Sequence, residues 1–154
     1  LRDNLSQAFP KGTRKFLALR TDLSWTGGGE WWRTKLRPVV EQFTNNGYTV
    51  TESLDKIAAG LAVLEYWPYH AIDANLPKTV LKNSKSHELV GNFARTTLWQ
   101  KANRDECMVI VARSGKRWDI RKGANIVEYE GGAARLASLK PHANDIFRRL
   151  IRLE

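Results

Sequence analysis

Three residues of this chain have side chains suited to acid–base chemistry and follow or close short apolar runs. These candidate catalytic residues are Asp22, Glu65 and His70. Asp22 could position a water as a general base, and His70 could act as a general acid or stack on a base, because histidine titrates near neutrality. Each also has a simpler role open to it, since Asp22 can cap the next turn and His70 can bond a backbone carbonyl. Glu65 could form a carboxylate pair with Glu128, or either could pair with Arg113.

A second set of residues combines cations with aromatic rings and is suited to binding a polyanion. These candidate nucleic-acid-binding residues are Trp25, Trp67, Tyr69, Arg113, Lys116 and Arg117. Cations displace counterions from phosphates, and aromatic rings stack on flipped or unpaired bases. The formal net charge of +9 favours such a partner. The alternative is that the charge only keeps the protein soluble and that the cations after residue 112 form a solvated turn.

Composition excludes several other classes of site. Cys107 is the only cysteine, so the chain can form neither an internal disulfide nor a four-cysteine metal centre. The three histidines have no metal-ligand spacing, and we expect no metal or other cofactor. No apolar run approaches the roughly 20 residues of a membrane span and no signal-peptide pattern opens the chain, so we expect no membrane partner. The single cysteine fits a reducing, cytoplasmic setting. Because the sequence starts at Leu1 and its only methionine is Met108, we expect a piece of a longer protein, whose other domains could be partners.

Four apolar runs predict the strands that position these residues. They are Lys15–Thr21, Leu61–Glu65, Met108–Ala112 and Asn125–Tyr129. Amphipathic patterns between and after them predict helices over Glu30–Phe43, Thr51–Ile57, His87–Asn103 (capped by Ser86) and Pro141–Leu153, with a kink or break at Pro38. This alternation predicts an α/β fold, specifically a three-layer α/β/α sandwich with a mainly parallel four-stranded sheet, as a single domain over residues 1–154.

The run Leu61–Glu65 is the expected centre of that sheet. A short apolar run between Gly60 and Pro68 is typical of a strand buried on both faces, and Pro68 cannot continue a ladder. Ligands of open α/β sheets bind beyond the carboxyl ends of the strands. The loop that holds Trp67, Tyr69 and His70 is therefore the first predicted site.

Two segments resemble the uracil-DNA glycosylase superfamily. They are Leu-Ala-Val-Leu-Glu-Tyr-Trp-Pro-Tyr-His at residues 61–70 and Ala-Arg-Ser-Gly-Lys-Arg-Trp at residues 112–118, within a resemblance that spans Lys15 to Leu153. The resemblance implies a base-flipping fold in which Asp22 stands at the place of the polar residue after the first strand. Glu65 stands where the family has a base-reading asparagine, and the Gly131–Leu139 region lacks the family's histidine. A carboxylate cannot offer an amide's donor–acceptor pair, so we expect no ordinary uracil excision.

These observations lead to one preferred function and two alternatives. The preferred function is a domain that binds nucleic acid, DNA or RNA, or a nucleotide at the strand ends. One alternative is an active glycosylase or hydrolase on a modified base, using Asp22 with Glu65 or His70. The other is a protein-interaction module of a larger protein, with exposed tryptophans as anchors. If the charge is functional, Lys116 and Arg117 should share a face with some of Arg113, Arg148 and Arg149.

Overall fold

The computed structural model is mostly helical. It describes Phe16, Leu19 and residues 27–64, 85–112, 115–129 and 138–152. In chain order its helices are α1 (Gly27–Asn45), α2 (Val50–Gly60), α3 (Ser86–Phe93), α4 (Trp99–Asn103), α5 (Gly115–Trp118) and α6 (Ala143–Ile151). Its strands are β1 (Val109–Val111) and β2 (Ile126–Glu128). The chain forms two compact units, one of Leu1–Ala62 with Ser138–Glu154 and the other of Val63–Ala137. That residues 1–154 form a single domain stays a prediction.

The first unit is organised by the long helix α1. It begins at the three consecutive glycines and continues through Pro38 without a break, although an internal proline removes one backbone hydrogen bond. Its apolar stripe includes Leu36, Val39 and Phe43, all fully or almost fully buried. The predicted helix is therefore confirmed, and it is longer than expected. It continues through Pro38 because burial of the apolar stripe compensates for the lost hydrogen bond.

A glycine ends α1 and a capping box starts α2. Gly47 has a φ of 89°, and its amide and that of Tyr48 donate to the Thr44 and Phe43 carbonyls at 3.1 and 3.2 Å. Two residues later, the Thr49 amide donates to the Glu52 carboxylate at 2.7 Å, and the Glu52 amide donates to Thr49 Oγ1 at 3.2 Å. These bonds satisfy backbone groups that a helix end leaves without partners.

Helix α6 closes the core of the first unit. It follows a 3-10 turn at Lys140–His142 that has Pro141 near its start. Phe147 lies edge-on to Phe43 with ring centroids 4.8 Å apart, and Tyr48 contacts the same Phe43 ring at 5.3 Å. Ser53 is a fully buried polar residue, and its hydroxyl donates to the Thr49 carbonyl at 2.7 Å. The unit is thus a three-helix core around one aromatic cluster.

The predicted four-stranded sandwich is wrong. About 65% of the described residues are helical, and these residues include only two short strands, both in one parallel sheet. Of the predicted strand Lys15–Thr21 the structure describes Phe16 and Leu19, and the Leu19 amide donates to the Phe16 carbonyl in a helical-type turn. Of the predicted central strand, residues 61–64 are described and pair with no strand, while Glu65 lies outside the described residues.

The run at residues 61–64 fails as a strand for a local reason. Leu61 caps α2, and its amide donates to the Ile57 carbonyl at 2.9 Å, so the run begins as the exit of a helix. Leu64 is 40% exposed, whereas a strand covered on both faces would bury it. Short apolar runs do not distinguish a strand from such an exit, because only a pairing partner makes a strand.

Candidate nucleic-acid interface

The second unit contains the sheet, and its two strands are the predicted third and fourth. They run parallel, with Val109 opposite Ile126 and Val111 opposite Glu128, so both strands end at the same edge. The Tyr129 amide donates to the Val111 carbonyl at 3.1 Å and extends the pairing beyond the ladder. The connection between these parallel strands therefore runs from the carboxyl end of β1 back to the amino end of β2, and it contains α5.

Asn125 fixes the start of β2 to the end of α4. Its side-chain Nδ2 donates to the Ala102 carbonyl at 2.8 Å and to the Asp105 carboxylate at 3.0 Å. The backbone carbonyl of Asn125 accepts from the Val109 amide at 2.9 Å. Asp105 has a φ of 60°, and the amides of Asp105 and Glu106 close the helix end on carbonyls of α4. The side chain of Asn125 thus joins the helix end and the turn after it, and its backbone carbonyl joins the start of β2 to β1.

Arg95 ties α5 to the preceding helix. It lies in a π-helical segment, Ala94–Leu98, that continues α3 into α4. Its Nη1 donates to the Trp118 carbonyl at 3.3 Å, and its Nη2 donates to the Asn92 side chain at 2.6 Å. Gly91 makes room for this guanidinium, since a Cβ there would lie 3.0 Å from Nη1. The short helix is therefore anchored at its carboxyl end.

Residues 116–122, Lys-Arg-Trp-Asp-Ile-Arg-Lys, form a surface that we name the basic segment. Its four cations are exposed, and with the single carboxylate of Asp119 they give a net charge of +3. These cations are Lys116, Arg117, Arg121 and Lys122. Within the part of the chain that the structure describes, none of them forms an ion pair. The segment therefore presents uncompensated positive charge to solvent.

Two other cations of the same unit pair with a carboxylate. Lys101 Nζ and Arg104 Nε lie 3.1 and 2.6 Å from the two carboxylate oxygens of Glu106. Hydrogen bonds from Lys101 and Arg104 hold the pKa of Glu106 below its usual value. This cluster is exposed but carries a compensating carboxylate, so it differs from the basic segment in kind.

An aromatic ring lies beneath one cation of the basic segment. The Cζ atom of Arg121 lies over the Trp99 ring, 5.6 Å from its centroid. Trp99 is half-buried, and its Nε1 is buried with no hydrogen-bond partner within the described ranges. The indole is therefore held by packing and by the guanidinium.

The structure describes only two of the residues predicted from sequence to form the site. Lys116 and Arg117 are exposed on α5, as a phosphate-binding role requires. The other predicted site residues lie outside the described residues: Asp22, Trp25, Glu65, Trp67, Tyr69, His70 and Arg113. The shared face predicted for Arg148 and Arg149 joins residues of different units and stays a prediction.

Three further residues of this surface, Arg95, Trp99 and Arg121, were not predicted from the sequence. A signal for Arg121 was present, because Arg121-Lys122 follows Lys116-Arg117 closely. Nothing in the sequence marks Trp99 as its partner, since the two residues are far apart in the chain.

Neither a metal-ligand cluster nor a membrane-spanning helix occurs in the part of the chain that the structure describes. Among the described residues, no group of histidine, cysteine, aspartate and glutamate side chains could hold a metal ion. No helix in the described ranges is both long and apolar enough to cross a membrane.

Comparison with family models, curated proteins and solved structures finds no match for this chain. The resemblance to uracil-DNA glycosylases therefore stays a hypothesis that depends on the sequence segments at residues 61–70 and 112–118.

Proposed function

We propose that this protein binds nucleic acid through the basic segment and does so without ordinary uracil excision. The observation that supports binding is the group of four exposed cations that no described carboxylate neutralises. Phosphates spaced along a nucleic-acid strand release condensed counterions when such cations approach, and this release favours binding without readout of sequence.

The position of the segment supports the same function. Its first cations, Lys116 and Arg117, come soon after β1, and both strands end at that edge of the sheet, where ligands of parallel sheets gather. Arg95 holds the end of α5 by its bond to the Trp118 carbonyl, so Lys116 and Arg117 project from an anchored helix. An anchored backbone reduces the entropy lost on binding.

The test is fluorescence anisotropy with labelled single- and double-stranded DNA and RNA over a salt series. Affinity should fall as salt rises, and replacing Lys116 and Arg117 with alanine should reduce the log–log slope by roughly 1.4 to 1.8. The matched control replaces Lys101 and Arg104 with alanine, which removes the same charge from the cluster around Glu106. Its slope should stay close to that of the unchanged protein.

Two results would contradict the proposal. Salt-independent binding would exclude phosphate contacts, and equal slopes for the two double variants would show that net charge alone attracts the nucleic acid. Release of uracil from DNA that disappears with Asp22→Asn would instead support the enzymatic alternative.

A further inference from the structure

The pair formed by Arg121 and Trp99 has a geometry that phosphate binding does not require. A lysine or arginine reaches a phosphate from any exposed position, and Lys122 beside it has no described ring beneath it. Arg121 is exposed while its guanidinium carbon lies over the half-buried indole. The cation–π contact favours this position of the guanidinium at the surface, where the planar group can meet a ligand.

A restrained guanidinium is a platform for a flat, polarisable ligand. Arginine planes stack on nucleobases, and stacking does not depend on which base is present. In a duplex the faces of the bases are occupied by neighbouring base pairs, so this platform adds binding energy only when a base is unpaired. The adjacent cations at Lys116, Arg117 and Lys122 can bind the phosphates on either side of that base.

On these grounds, and resting on the proposed function, we infer that the preferred partner is single-stranded nucleic acid. One unpaired base stacks on the guanidinium of Arg121, and Trp99 supports that guanidinium from the protein side. Arg121 therefore contributes both charge and a stacking plane, whereas Lys122 contributes charge alone.

The experiment measures anisotropy with three labelled probes of equal length: a thymine-containing single strand, an abasic strand with the same phosphates, and a duplex. The unchanged protein should bind the thymine strand about fivefold or more tightly than the abasic strand at one salt concentration. Arg121→Lys keeps the charge and removes the planar group, so it should abolish this difference. Lys122→Ala should weaken the binding of both single strands by the same factor and preserve the difference. Thermal unfolding of each variant verifies that the fold is intact.

The outcomes separate this inference from the proposed function. If the unchanged protein binds both single strands equally and with salt dependence, the proposed function stands and base stacking is refuted. A preference for bases that survives Arg121→Lys also refutes stacking on Arg121, and tighter binding of the duplex refutes the single-strand preference. Failure to bind any probe refutes both the inference and the proposed function.

Discussion

We expect substitution of Asn125 to destabilise the second unit. Asn125→Ala removes a partly buried hydrogen bond to the Ala102 carbonyl, which still accepts from the Asp105 amide, and an exposed hydrogen bond to the Asp105 carboxylate. A neutral hydrogen bond contributes about 0.5–1.5 kcal/mol and one to a charged group about 1.5–3 kcal/mol, with exposed bonds at the low end. The substitution should therefore lower the local unfolding free energy by about 2 kcal/mol.

The assay is native-state hydrogen exchange at the strand amides. The Val109 amide donates to the Asn125 carbonyl and the Tyr129 amide donates to the Val111 carbonyl, so both report on the joint between the strands. A loss of about 2 kcal/mol corresponds to roughly 30-fold faster exchange. Asn125→Asp should have a larger effect at neutral pH, because its carboxylate would face the Asp105 carboxylate and the Ala102 carbonyl.

Asn103→Ala is the matched control. It removes a side-chain amide that donates to the Trp99 carbonyl at 2.8 Å on the exposed surface of the same unit. Surface substitutions of this kind usually change stability by less than about 0.5 kcal/mol. If Asn103→Ala accelerates exchange as much as Asn125→Ala does, or if Asn125→Asp is harmless, then Asn125 does not join the strands to the helix.

Two further predictions concern stability. Gly47→Ala should lower the midpoint of urea unfolding and cost about 1 kcal/mol, because a φ of 89° strains an L-residue although no atom lies within 4 Å of the added methyl group. Gly47→Asn should cost less, since asparagine tolerates this conformation, and equal losses would show that strain is not the cause. Acid should also reduce stability: Lys101 and Arg104 lower the pKa of Glu106 in the folded state, so the unfolded state binds its proton more readily as pH falls. As the pH is lowered from about 5 to about 3, the urea concentration at the midpoint of unfolding should decrease, and Glu106→Gln should make this decrease smaller. A pH profile of the midpoint that Glu106→Gln leaves unchanged would contradict the assignment to Glu106.

Elements that depend on neighbouring residues could be predicted from the amino-acid sequence alone. The stripe from Leu36 to Phe43 predicted α1, and the run Met108–Ala112 contains β1. These predictions succeeded because the 3.6-residue period and a short β-branched run are properties of adjacent positions. The exposed cations at Lys116 and Arg117 were also evident, since charge seldom remains buried without a partner.

Which elements pair and which side chains meet depends on long-range packing, so neither could be predicted from local sequence. Residues 61–64 have the composition of a strand, yet they leave α2 without a strand partner, because pairing depends on what lies beside them in space. Arg121 and Trp99 are far apart in the chain and meet only when the second unit folds. Their proximity results from long-range packing between α4 and the basic segment, and no local pattern records it.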